Sequence, residues 1–424
     1  MGLPAGRRMI AAVAAGTVTV LAVVAFAVGA LWGQGHLARS ASTGRIEPSR
    51  HHVVPGHPAG AGSSTVVPAP PGSIEVTAYG ADPTGASDAT AGFAQAIDAA
   101  EASGDGTVYV PPGRYVLDDL SARVCELCID RPIHLVGSGS SATTLVNEIG
   151  LKNPRSTRSL DMIEIVSGVG GKPGGADGTT ISGLTLDSAT YDAGTDIMDF
   201  ANHTVLSGLV VHAATSTDHY NPNSFGIRVI TVCSPYTVTS RYRVDNQVDD
   251  VTITGNGSTG TTELDLSCQV GSTVSNVTID GNGMDIYICH DVTVDGATLT
   301  GHASVGPPYT WVMNDSSDIH LRHIETVGSG GVIVQHLHDL PSTDVTITDE
   351  TMHDPTGVLF VGDAAHVTIA DSTLGILDIS PALAADNIAL QATTIAQPVL
   401  CPHPGRVRAL HGLACGTSEH GPSG

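Results

Sequence analysis

From about residue 160 onward the chain repeats one unit: a short strand, a turn, then a second strand of the form polar-Val-Thr-Ile. Asp291-Val292-Thr293-Val294, Asp318-Ile319-His320-Leu321, Asp344-Val345-Thr346-Ile347 and His366-Val367-Thr368-Ile369 are its plainest copies. Others align at Thr180-Ile181, Val205-Leu206, Val277-Thr278-Ile279 and Asn387-Ile388-Ala389-Leu390. The strand before each copy ends near Ile165, Phe200, Val229, Leu266, Ile288, Met313, Val334, Val361 and Ile379. A step of roughly 20 residues with loop-sized excesses is the mark of stacked solenoid coils. Within each strand Val, Ile and Leu alternate with Thr, Asp and Ser, which puts one set inside and the other outside. The repeat therefore predicts an all-β chain: a right-handed parallel β-helix of about nine or more coils. Composition agrees. Glycine is abundant (50 residues), and only 14% of residues are charged and 4% aromatic, which suits tight turns better than helical bundles.

The ends of the chain differ from the coils. Arg7 and Arg8 precede an uncharged run from Met9 to Trp32. As a helix this run would rise about 36 Å, enough to cross a bilayer core. Residues 1–32 thus read as a signal-anchor or a cleaved signal peptide, and either places the rest outside the cell, membrane-attached or secreted. Residues 33–72 are rich in Pro, Gly and Ser without apolar periodicity and read as a linker. The β-helix domain is expected over 73–397 and a tail over 398–424. Seven cysteines in an exported chain favour disulfides. Cys125-Glu126-Leu127-Cys128 has a spacing open to a disulfide or, less readily, zinc, and Cys401 and Cys415 could staple the tail.

Net charge is -24, and Lys152 and Lys172 are the only lysines. So acidic a chain offers no footprint for nucleic acid and little for a polyanion.

Before the coils, Tyr79-Gly80-Ala81-Asp82-Pro83-Thr84-Gly85-Ala86-Ser87-Asp88 leads into a helix-like Phe93–Ala100, with Asp88 as a plausible N-cap. Gly106-Thr107-Val108-Tyr109-Val110-Pro111-Pro112-Gly113-Arg114-Tyr115-Val116-Leu117 follows as strand, proline turn and strand. The helix can cover the solenoid's open end. This stretch, residues 74–117, resembles the opening segment of the pectate-lyase/rhamnogalacturonase superfamily, right-handed parallel β-helices acting mostly on polysaccharides. The resemblance implies a polysaccharide partner and leaves the chemistry open, because hydrolases, lyases, epimerases and phage tail proteins share it.

On a solenoid, equal positions of successive strands form ladders about 4.8 Å per rung. The residue before the last apolar one of each first strand gives Glu164, Asp199, Arg228, Asp265 and Tyr287 on one outer face. Asp199 and Asp265, two rungs or about 9.6 Å apart, would suit an inverting glycoside hydrolase. Glu164, one rung from Asp199, could share a proton with it. The same acids and Arg228 equally describe a structural salt-bridge ladder. Thr195-Asp196-Ile197-Met198-Asp199 resembles the catalytic strand of polygalacturonase-type hydrolases, which adds Asp196 to the candidate acids. Gly301-His302-Ala303 is similar to that family's Gly-His-Gly segment, and its following Asp-Asp-Cys and its Arg-Ile-Lys are missing here. Arg228, Tyr287, Trp311 and His302 are the candidate sugar-binding residues. The expected protein hydrolyses a polysaccharide with paired carboxylates and no cofactor. A calcium-dependent polyuronate lyase and a non-catalytic surface glycan binder are the alternatives. Its oligomeric state is left open.

Overall fold

The computed structural model describes residues 66–118, 125–148, 161–166, 175–188, 195–213, 226–230, 242–255, 262–301, 307–335, 341–362, 364–379, 388–397, 399–400 and 415–416. Parallel strands dominate and stack into two sheets, one of twelve strands and one of twenty, which together form a parallel β-helix. The expected membrane segment, residues 1–32, and the expected linker up to residue 65 lie outside the described residues, and among the described residues no helix is long and apolar enough to cross a membrane.

Helix Thr90–Ser103 covers the N-terminal end, as the sequence suggests. It buries Phe93, Ala96, Ile97 and Ala100 against strands Gly106–Val110 and Cys125–Ile129. Phe93 meets Tyr115 edge-on at 5.4 Å between ring centroids. Asp88 secures the helix start from one position further out than a regular N-cap: its Oδ1 accepts the Thr90 N–H at 2.9 Å. Asp82 of the opening motif has a local task. It accepts the backbone N–H and hydroxyl of both Thr84 and Ser87, chiefly Thr84, and these bonds lower its carboxyl to about 2. Gly113 is required by contact, because a Cβ there would lie 2.6 Å from the Pro83 carbonyl oxygen. The opening motif is thus an end cap rather than a catalytic element. The cap also draws in residues ahead of 73. Val67 donates its N–H to Ser138 at 2.9 Å, and the Tyr109 hydroxyl donates to the Val67 carbonyl at 2.8 Å.

The polar-Val-Thr-Ile repeat has a backbone cause. Asp245, Gly271, Asp291, Asp318, Asp344 and His366 stand in one column, and Gly208, Asp250, Asn276, Gly296, His323, Asp349 and Asp371 in another. All have φ between 50° and 79°. This left-handed conformation costs an ordinary L residue about 1–2 kcal/mol, and Gly, Asn and Asp bear it best. Each column is a corner at which the chain bends, and the β-branched residues after it enter the next flat run. The sequence copies therefore come from two different corners: Asp291 and Asp344 open one, while Asn276, ahead of Val277-Thr278-Ile279, opens the other.

Inside, Ile163, Ile197, Ile227, Leu264 and Met284 stack in one column of the twelve-stranded sheet. Ile165, Asp199, Val229, Leu266, Ile286, Val312, Val334, Val361 and Ile379 stack in the next. The expected inward endpoints Ile165, Val229, Leu266, Val334, Val361 and Ile379 lie in that column. Phe200, Ile288 and Met313 do not. Ile288 has φ 53° and belongs to the turn beyond its strand, so the true endpoint there is Ile286.

Candidate active site on the twelve-stranded sheet

The central outward column of the twelve-stranded sheet reads Cys128, Glu164, Met198, Arg228, Asp265, Asp285, Trp311, Ile333, Phe360 and Asp378. It contains Glu164, Arg228 and Asp265 of the expected ladder, and also Trp311. Two members of that ladder stand elsewhere. Tyr287 faces outward on the same sheet but two residues along from Asp285, in register with Ser267 and Met313.

Asp199 points inward and is fully buried, because Ile197 and Asp199 both take core positions and Met198 takes the outer one. Reading Phe200 as the last core residue shifted that strand by one, and a one-residue shift exchanges its faces. Inside, Asp199 accepts the Ala201 N–H at 2.8 Å and the Thr204 hydroxyl. Thr204 in turn bonds Asn246, and Asn246 bonds Gln269 at 2.9 Å. This internal stack of polar side chains supports the corner. Burial raises the Asp199 carboxyl to about 7 against these hydrogen bonds and the Arg243 charge.

Asp196 is also buried. Ser188 donates to its Oδ1, and its Oδ2 has no hydrogen-bond partner. Burial, followed by the charges of Asp187 and Asp161, pushes its carboxyl well above the usual range. Asp161 receives the Thr195 N–H at 3.1 Å and is raised by burial to about 6. Half-buried Glu164 is raised to about 7, first by burial and then by the charges of Asp161 and Asp130. His302 lies outside the described residues.

The centre of the column is Arg228–Asp265–Asp285. Arg228 donates from Nε to Asp265 Oδ2 at 2.6 Å, and the Arg228 side chain is 20% exposed, that of Asp265 only 5%. Ser267 donates to Asp265 Oδ1 at 2.6 Å. Asp285, on the next rung, accepts the Thr262 hydroxyl at 2.8 Å. Burial pushes Asp285 up to about 7, helped by the charge of Asp265 and opposed by Thr262 and Arg228. Two adjacent carboxyl groups with different partners can divide proton donation from charge stabilisation. Apolar spacing that ends this strand at Ile288 selects Tyr287 in place of Asp285, whereas the strand ends at Tyr287. The alternation Met284-Asp285-Ile286-Tyr287 carried the correct register.

Among the described residues no His, Cys, Asp and Glu cluster could hold a metal ion. Cys125 and Cys128 form a disulfide, Cys268 is disulfide-bonded, and the buried Cys289 is a free thiol. Cys401 lies outside the described residues.

Among solved structures, a hyperthermoactive exopolygalacturonase from Thermotoga maritima resembles this chain with a TM-score of 0.51 and 9% identity, over 79% of this chain and 90% of that one. The A-module of a mannuronan C-5 epimerase from Azotobacter vinelandii gives a TM-score of 0.47 and 15% identity over 77% and 97%. No curated protein matches the sequence. The sequence profile described as Rhamnogalacturonase A/epimerase, pectate lyase-like matches residues 73–317. That match spans more than half of the chain and coincides with the capped parallel β-helix, so the chain belongs to this pectate lyase-like family.

Proposed function

We propose that this protein is an extracellular carbohydrate-active enzyme that hydrolyses glycosidic bonds of a polysaccharide, with Asp285 as proton donor and Asp265 as its carboxylate partner. The observation that carries the reading is the pair itself: two neighbouring acids in one outward column, largely buried, one bound to Arg228 and the other raised to about 7. A group with that value still holds its proton near neutral pH and can give it to a leaving oxygen. Successive rungs are about 4.8 Å apart, closer to the roughly 5–5.5 Å of retaining enzymes than to the wider separation of inverting ones. The pair therefore favours double displacement with retention, in place of the inversion that an Asp199–Asp265 pair would have given. Family membership and the disulfides Cys125–Cys128 and at Cys268 support a secreted glycan-active protein. A lyase needs a base at the substrate, and the Arg228 guanidinium beside this pair is engaged by Asp265.

The test is product analysis on a panel of neutral and acidic glycans, with and without a calcium chelator, using wild type and Asp285→Asn. Reducing ends released by wild type alone, with the starting anomer retained by NMR, are the expected result. An unsaturated product would make the enzyme a lyase. Equal release by Asp285→Asn would remove Asp285 from the chemistry.

A further inference from the structure

The two sides of the Asp265–Asp285 pair differ. Toward the N-terminal coils the central column carries Arg228, Met198 and Glu164, with buried Asp161 and Asp196 close by. Toward the C-terminal coils it carries Trp311, Ile333 and Phe360, all half-buried and outward. Tyr309 stands beside Trp311 at 5.7 Å between ring centroids, with planes 64° apart, and Val358 lies two rungs beyond Tyr309. This apolar strip begins one rung from Asp285 and runs two further rungs to Phe360, a length of about 10 Å at 4.8 Å per rung.

Charge is equally one-sided. Among the described strands of this sheet Arg228 is the one cation, and its guanidinium is bound to Asp265. Glu164, Asp265, Asp285 and Asp378 stand in the same outward column. Among the described strands a polyuronate laid along this column would meet acid side chains and a guanidinium already bound to Asp265, and like charges brought together cost free energy. Aromatic faces flanked by hydrogen-bonding acids suit the opposite ligand, a sugar ring with an apolar C–H face and uncharged hydroxyls.

We infer that the substrate is a neutral polysaccharide bound along the helix axis, its uncharged pyranose rings stacked on the Trp311–Tyr309–Phe360 strip on the C-terminal side of Asp285. The position of the cut rests on the Asp265–Asp285 reading; the choice of a neutral chain rests on the strip and the charges alone. Binding is therefore measured apart from cleavage.

The experiment is calorimetric titration of the full-length protein with neutral oligosaccharides and with uronic oligosaccharides of the same linkage and length, at salt from about 0.01 M to about 1 M. Wild type should bind a neutral series with little salt dependence and ignore its uronic counterpart. Trp311→Ala should weaken neutral binding about ten-fold, an amount equal to about 1.4 kcal/mol. Trp311→Phe should bind within about three-fold of wild type, since it keeps a π-face, and thermal melting checks that both variants are folded. Phe360→Ala should weaken long oligosaccharides and leave the shortest unaffected. Preferential binding of the uronic series, failure to bind any glycan, or unchanged binding by Trp311→Ala would each overturn the inference. Neutral binding without cleavage would leave it standing and end the hydrolase reading instead.

Discussion

The two sheets of this solenoid treat their outer faces in opposite ways. On the twenty-stranded sheet one outward column runs Thr144, Thr185, Val210, Thr252, Thr278, Thr298, Glu325, Thr351, Thr373 and Thr394. Threonine recurs because a β-branched side chain with a hydroxyl fits an exposed pleat. On the twelve-stranded sheet no residue type dominates the central outward column, carboxyl groups are buried next to one another, and an aromatic strip follows. Regular stacking needs neither the acids nor the aromatics. A solenoid that gives up its repeat on one face, at a cost in desolvation, marks that face as the one with a task.

The largest expected effect tests whether that face is chemical. Asp285→Asn should lower turnover by about 10²- to 10⁴-fold, the usual contribution of a positioned acid. Melting should be unchanged or slightly raised, because the change removes a carboxyl that burial and Asp265 both disfavour as a charge. In wild type, kcat/KM should decline as pH rises above about 7, where Asp285 loses its proton. An activity that stays flat from pH 6 to about 9 would deny Asp285 the acid role.

Arg228→Met comes next. It leaves the 5%-exposed Asp265 without its guanidinium, and removing one partner of a buried ion pair typically costs about 3–5 kcal/mol. The Asp285 carboxyl should rise further, because the Arg228 charge counters the effect of burial on it. The alkaline limb of the activity profile should then move to higher pH, a shift that loss of stability alone would not produce.

Asp199→Asn separates the inside of the same sheet from its outside. The Asp199 oxygens accept from Ala201 and Thr204, and an amide turns one acceptor into a donor. A mismatched buried group costs about 1–3 kcal/mol. Melting should fall and turnover per folded molecule should stay normal; a loss of turnover with normal melting would return Asp199 to the chemistry.

Buried acids also set how stability follows pH. Glu263 and Glu350 are each raised to about 8 and Asp199 to about 7, burial being the main cause. An acid whose folded value lies above its unfolded value of about 4 adds stability that is complete below that value and is lost as pH rises through the folded one. Thermal stability should therefore peak in mild acid and decline between about pH 5 and about 8. Glu350→Gln should flatten part of that decline, since Glu350 accepts the Thr326 hydroxyl through Oε1 while Oε2 lacks a partner. A melting temperature that rises from pH 5 to about 8 would contradict these assignments.

The fold was legible because its cause is repeated. Left-handed corners favour Asp, Asn or Gly, with His323 and His366 the exceptions, and the core favours Val, Ile or Leu in coil after coil, so the pattern survives loops of any length. The site was legible only where its strand obeyed that pattern. Glu164, Arg228 and Asp265 precede Ile165, Val229 and Leu266, all true core residues, and each was placed on the correct face. Asp199 replaces a core aliphatic, so apolar spacing jumped to Phe200. Ile288 is apolar and buried yet lies in a turn, so Tyr287 was chosen and Asp285 passed over. A departure from the repeat is what makes a site, and it is also what defeats register reading.

The smallest expected effect concerns the threonine column, the control for the whole comparison. Thr278 is exposed and lies between Thr252 and Thr298. Thr278→Val keeps the β-branch and the volume, and surface changes of this kind usually stay within about 0.5 kcal/mol. Turnover, glycan binding and melting should all match wild type. If Thr278→Val reduced glycan binding while Trp311→Ala did not, the sugar would lie on the regular sheet, and the inference from broken repeat to functional face would be reversed. Equal insensitivity of both variants would instead mean that neither sheet binds glycan through its central columns.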